Sequence, residues 1–108
     1  MNQLELFKNI LDSLKNQIVF ADTNHIIRYM NKAAIEQYKE GIELLNSSLL
    51  DCHNQKSVKI IFEIFEKMKN GLDEELITDN EKYRVYMKAL RNDNDELIGY
   101  YERYEIKK

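Results

Sequence analysis

Residues 17–31 read QIVFADTNHIIRYMN. Two short runs rich in β-branched and aromatic residues, Ile18–Ala21 and Ile26–Met30, flank the polar tetrad Asp22-Thr23-Asn24-His25. Aspartate and asparagine favour turns because their short side chains bond nearby backbone amides. The stretch therefore reads as a β-hairpin with His25 in an exposed turn. Asn31 follows directly and is placed to cap a short helix, KAAIEQY.

On the upstream side, residues 3–15 (QLELFKNILDSLK) space Leu4, Phe7, Ile10, Leu11 and Leu14 by threes and fours. That is the pattern of a helix with one apolar stripe, free to pack on the domain or on a second copy of itself. On the downstream side the signal weakens between Lys39 and Gln55. Gly41 breaks the chain there, and IELLNSSLLD suggests one or two helical turns. Ser57 is the candidate N-cap of a long helix from about Val58 to Asn70, with Val58, Ile61, Phe62, Ile64, Phe65 and Met68 on its apolar side. Asn70-Gly71 supplies the stop, since glycine tolerates the left-handed conformation at a helix end.

Three strands follow, about Glu74–Thr78, Tyr83–Leu90 and Leu97–Ile106, joined by the polar turns DNEK and RNDNDE. Short turns make them an antiparallel meander. The strands split two and three around a helical middle, which predicts an α+β domain with one antiparallel sheet. The expected division is an N-terminal helix over 1–16 and a domain over 17–108.

Composition narrows the function classes. The chain has 108 residues, the length of one domain, and a net charge of −3 gives it no general attraction to nucleic acid or an anionic membrane. No apolar run approaches the roughly 20 residues that cross a bilayer, and MNQLELFKNIL lacks the features of a signal peptide. A single cysteine forms no internal disulfide, so a cytoplasmic setting is expected. There is no proline and there are three glycines, which leaves no flexible linker and no glycine-rich phosphate loop.

The order of elements resembles the PAS fold, in which short helices and one long helix cover one face of a five-stranded antiparallel sheet. The resemblance runs over about residues 8–106. ILDSLKNQIVFADTNHIIRYMNKAA is similar to the usual opening of such domains: a helix, a strand ending in Asp, a turn, and a strand ending in Asn before small residues open a helix. NDNDELIGYYERYEI is similar to the usual last hairpin. The junction LLDCHNQKSV resembles a bacterial PAS branch that has Cys-His-Pro-Pro, one residue, then Ser-Val before the long helix. Cys52, His53, Ser57 and Val58 match, and Asn54 and Gln55 stand in place of the prolines.

Cys52-His53 reads poorly as a chemical pair. Sequence neighbours point in different directions and rarely form a nucleophile–base pair, and no third orienting residue is evident. No catalytic residue is assigned and no enzymatic activity is expected. One cysteine and two histidines fall short of a four-ligand zinc site. Thiol sensing at Cys52 needs a depressed pKa, which the neighbouring Asp51 opposes.

The resemblance implies a sensor or interaction module that receives a small ligand or cofactor in the cleft between the long helix and the sheet. The signal would leave through the sheet, the flanking helix or a dimer contact. The residues expected to line the cleft are Met30, Tyr38, Leu50, His53, Ile61, Phe65, Met87 and Tyr101. Those expected at a dimer interface are Leu4, Phe7, Leu11 and Leu14, the partner being a second copy or a signalling protein. One rival is a haem sensor with His53 as axial ligand, since some PAS domains hold haem through a histidine near the long helix. The other is a ligand-free dimerisation scaffold with a solid core. Flavin fits less well, because Cys52 lacks the neighbours of the light-sensing motif.

The strands Tyr83–Leu90 and Leu97–Ile106 carry apolar or aromatic groups on both faces, whereas a sheet covered on one side alternates more cleanly. An outer face that meets a partner accounts for this.

Overall fold

The computed structural model describes residues 1–52 and 54–107. Helix α1 spans Gln3–Ser13, strands β1 and β2 span Ile18–Asp22 and Ile27–Met30, and helix α2 spans Lys32–Gln37. Two single 3₁₀ turns follow, Gly41–Leu44 and Leu49–Cys52. Helix α3 runs over Gln55–Lys69, and β3, β4 and β5 occupy Glu74–Asp79, Tyr83–Arg91 and Leu97–Ile106.

The five strands form one sheet in the order β2-β1-β5-β4-β3, with antiparallel neighbours throughout. The last strand thus lies at the centre. It pairs Val85 with Tyr104 and Met87 with Glu102 on one side, and Ala21 with Tyr100 and Val19 with Glu102 on the other. Because strand side chains alternate, this register puts Val19, Ala21, Val85, Met87, Ala89, Tyr100 and Glu102 on one face, where all are buried. Ile61, Ile64, Phe65 and Met68 of α3 close the core from above. The opposite face carries Phe20, Tyr29, Tyr86, Tyr101 and Arg103.

Gly99 sits where β5 passes β1. A Cβ there would strike the Ala21 carbonyl and the Phe20 ring, so the close backbone approach needs glycine.

Helix α3 begins earlier than the sequence suggests. Its N-cap is Asn54, whose side chain accepts a hydrogen bond from Ser57 N at 2.9 Å. Ser57 is inside the first turn, not the cap. Gln55 is the first helical residue, a position where proline fits because its missing N–H is one that the helix leaves unbonded. The junction is thus closed by a side-chain cap from Asn54.

His25 also departs from expectation. It is 7% exposed, not solvent-facing. Asp22 organises the turn: its carboxylate accepts from Asn24 N, Ile26 N and Arg28 Nε, and its carbonyl accepts from His25 N. His25 closes the turn at φ 64°, a left-handed conformation that histidine adopts more readily than most residues. Its ring packs edge-on against Phe62 and Phe65.

Candidate functional site

A cavity of about 610 Å³ opens between the inner face of the sheet and the segment that links α2 to α3. Val19, Ile27 and Met30 form its floor, and Leu44 and Leu49 form part of its cover. Its polar lining includes Tyr38, Ser47, Tyr104 and Glu102, with Glu40, Glu43 and Asp51 exposed at the rim. The volume lies in the range of small-molecule sites, which are mostly apolar with a few convergent polar groups.

Local sequence explains this hollow. Gly41, at φ 55°, turns the chain after α2, and the two 3₁₀ turns supply too few side chains to fill the space over β1 and β2. The loop is nevertheless fastened. Ile27 N donates to Ser47 O, Asn46 N to Ile27 O, and Leu49 N to His25 O. The cover is therefore tied to the hairpin at three points.

Glu102 is 7% exposed and lines both this cavity and a smaller one of about 170 Å³ between α3 and β3–β5. Burial pushes the Tyr104 hydroxyl up, the charge on Glu102 adds to the effect, and a hydrogen bond with Tyr38 opposes it. Tyr100 is pushed up too, by burial first and then by the charges of Glu102 and Asp22. Its hydroxyl and His25 Nδ1 share a hydrogen bond of 2.7 Å. Burial lowers the His25 pKa and Lys69 lowers it further, against the pull of Asp22.

The expected cleft residues separate into groups. Met30 and Tyr38 line the larger cavity. Ile61 is in the core and borders the smaller one. Phe65 and Met87 are buried in the core, where Phe65 touches Tyr100 and His25, and Leu50 packs half-buried against it. Tyr101 is on the other face of the sheet, because alternation along β5 turns its neighbours Tyr100 and Glu102 inward. His53 lies outside the described residues. The larger cavity is accordingly beneath the 38–51 segment, and the smaller one beneath α3. Val19, Ile27, Leu49, Glu102 and Tyr104 were not singled out beforehand. The shared face of Tyr100, Glu102 and Tyr104 was the available signal for the β5 pair.

A second hollow, of about 630 Å³, is on the outer sheet face beside α1. It is lined by Leu11, Leu14, Ile18, Phe20, Tyr29, Leu90, Tyr101 and Arg103. Of the expected dimer residues, Leu4, Phe7 and Leu14 are 78, 53 and 42% exposed, and Leu11 is half-buried against this hollow. Toward β3 the same face is covered by charge. Arg103 lies over the Tyr86 ring at 4.4 Å and pairs with Glu74 and Glu105, while Arg84 pairs with Asp79 and Glu105. Among the described residues, no cluster of three or more His, Cys, Asp or Glu could hold a metal ion, and no helix is long and apolar enough to cross a membrane.

No curated protein sequence matches the chain significantly. Several solved structures share its fold. The C-terminal domain of a Streptococcus mutans protein superposes with a TM-score of 0.80 at 23% identity, over 95% of this chain and 84% of that one. A PAS domain from Colwellia psychrerythraea gives 0.74 at 12% identity, over 98% of both chains. A sensory box sensor histidine kinase from Vibrio cholerae gives 0.66 at 9% identity, over 96% of this chain and 90% of that one. The family model described as PAS domain matches residues 7–105, from within α1 to the end of the sheet. The chain belongs to the PAS domain family, a family of sensory domains.

Proposed function

We propose that this chain is a sensor module without catalytic activity, which binds a small molecule in the cavity beneath residues 38–51 and passes the change to a protein partner. The observation that carries this reading is the cavity itself, about 610 Å³. Its apolar floor of Val19, Ile27 and Met30, with Tyr38, Ser47 and Tyr104 beside it, is the mix of groups that small-molecule sites use.

The haem reading has less support. The rim of the cavity carries the carboxylates of Glu40, Glu43 and Asp51, and like charge there disfavours the two propionates of a haem. Flavin phosphates would meet the same rim.

The partner surface is α1 with the outer-face hollow. Leu4, Phe7, Leu11 and Leu14 would form a self-complementary contact with a second copy of the chain, and a signalling protein presenting an apolar helix would fit equally. We place the module in the cytoplasm, and treat residues 1–16 as an arm distinct from the domain over 17–108.

Native mass spectrometry of the purified protein, followed by a thermal-shift screen of small molecules, tests the ligand reading. A ligand that binds the folded state alone must raise the melting temperature, by an amount that grows with its concentration. Ser47→Trp, which adds an indole to the cavity, should abolish that rise. A protein that carries nothing and is stabilised by nothing in the screen would leave the scaffold reading in place.

A further inference from the structure

Asn31 is fully buried at 0% exposure and uses every polar atom it has. Its Oδ1 accepts from Ile18 N, at the start of β1, and from Ala34 N, in the first turn of α2, both at 3.0 Å. Its Nδ2 donates to Leu11 O in α1 and to Asn16 O in the link to β1, again both at 3.0 Å. Its own N donates to Ile18 O, and its O accepts from Ile35 N. One carboxamide thus joins α1, the α1–β1 link, β1 and α2.

What it holds is otherwise loosely attached. Helix α1 has no buried residue. The Leu11 carbonyl, in the last turn of α1, also accepts from the C-cap Leu14 N at 3.3 Å, so the Asn31 amide is the partner that ties this turn to the domain. Besides Asn31, Asp12 Oδ1 accepts from Lys32 N at 2.9 Å. Both ties end at the N-terminus of α2. The residue before Asn31 is Met30, which lines the ligand cavity and pairs with Val19 in the same wall.

We infer that Asn31 is the joint between the cavity wall and the N-terminal arm. Displacement of Met30 shifts the carboxamide, weakens its hold on Leu11 and Asn16, and lets α1 exchange its partner on the outer sheet face. The coupling is reciprocal, so a partner that fixes α1 also biases the cavity wall. The inference rests on the proposed ligand site for its natural trigger, but an indole placed in the cavity by mutation replaces that trigger in the test.

Hydrogen–deuterium exchange of the full chain, read by mass spectrometry, compares wild type, Asn31→Asp, Ser47→Trp and the double variant. Asn31→Asp keeps the shape and the acceptor for Ile18 and Ala34, and turns a second acceptor toward two carbonyls. The amides of α1 should then exchange about tenfold faster or more, with β4 and β5 unchanged. Ser47→Trp should change α1 exchange by about fivefold or more when Asn31 is present, and hardly at all in the double variant. Wild-type α1 exchange in Asn31→Asp would overturn the inference. So would an equal effect of Ser47→Trp in both backgrounds. If Asn31→Asp also loses protection in β4 and β5, Ser47→Trp alone decides: unchanged α1 exchange overturns the joint, and altered exchange confined to α1 supports it. Failure to find a natural ligand would count against the proposed function and leave this result as it stands.

Discussion

The Tyr100 hydroxyl and His25 Nδ1 are 2.7 Å apart inside the core, although the two residues belong to the central strand and to a turn at the other end of the chain. Phe62 and Phe65 pack on the same imidazole. Tyr100→Phe removes the hydroxyl and leaves Nδ1 buried without that partner. Such a change costs about 1–3 kcal/mol, the penalty for an unsatisfied buried group. Urea unfolding of the variant at neutral pH measures it.

The burial of His25 sets a pH dependence. The folded-state pKa of His25 lies below its ordinary 6.5, so the unfolded chain binds more protons in the interval between the two values, and stability rises with pH there. The contribution is complete above about pH 6.5, declines as the pH falls toward the lowered pKa, and is flat below it. His25→Asn, a residue that also tolerates positive φ, should remove this component. The check is the difference between wild-type and variant unfolding free energies across pH 4.5–7.5.

The start of α3 distinguishes two candidate caps. Asn54→Ala should cost about 1 kcal/mol, within the usual range of 0.5–2 for a lost N-cap. Ser57→Ala should change stability by no more than about 0.5 kcal/mol, as surface substitutions do. Gln55→Pro should be neutral or slightly stabilising, because the first helical position accepts proline and proline restricts the unfolded chain. Thermal unfolding of the three variants ranks them.

Gly99→Ala forces a methyl group toward the Ala21 carbonyl and the Phe20 ring. The backbone of β1 cannot retreat without parting from β5. The loss should reach about 1–3 kcal/mol or more, typical of overpacking, and denaturant unfolding should show it with the slope unchanged.

Leu4 and Phe7 make no buried contact in the monomer. Replacing both with Glu should therefore leave the melting temperature within a few degrees of wild type. If α1 forms the dimer contact, the same variant should elute as a monomer in size-exclusion chromatography at concentrations where wild type associates. Equal elution of the two proteins would remove α1 from the interface.

Much of the architecture was legible because its signals are local. The Asp-Thr-Asn-His turn, the polar turns that bound β4 and β5 and the apolar spacing of α3 each act over a few residues. What was hidden depends on distant parts of the chain. The burial of His25 follows from positive φ and from Tyr100, neither visible in the turn itself. The choice between Tyr100 and Tyr101 is one of parity, since one step along a strand reverses the face, and aromatic residues on both sides blurred it. Asn54 and Ser57 are both good caps by type, and geometry selected the earlier. Asn31 was readable as a cap of α2, whereas its bonds to Leu11 and Asn16 needed the tertiary fold. The cavity was expected under the long helix because the resemblance emphasises that helix. The larger space is instead left by the weakly patterned 38–51 segment.

The central position of β5 has a consequence for how the protein is made. Ile18 must wait for Arg103, and Asp22 for Gly99, before β1 gains its inner neighbour. During synthesis the first hairpin and α3 emerge with no middle strand to zip them, so the sheet closes only once β5 has left the ribosome. Pairings so far apart in sequence slow folding and prolong the exposure of unpaired strand edges. A truncation that removes β5 would split the sheet into two separated pieces, whereas one that removes β2 or β3 would shorten it from an edge.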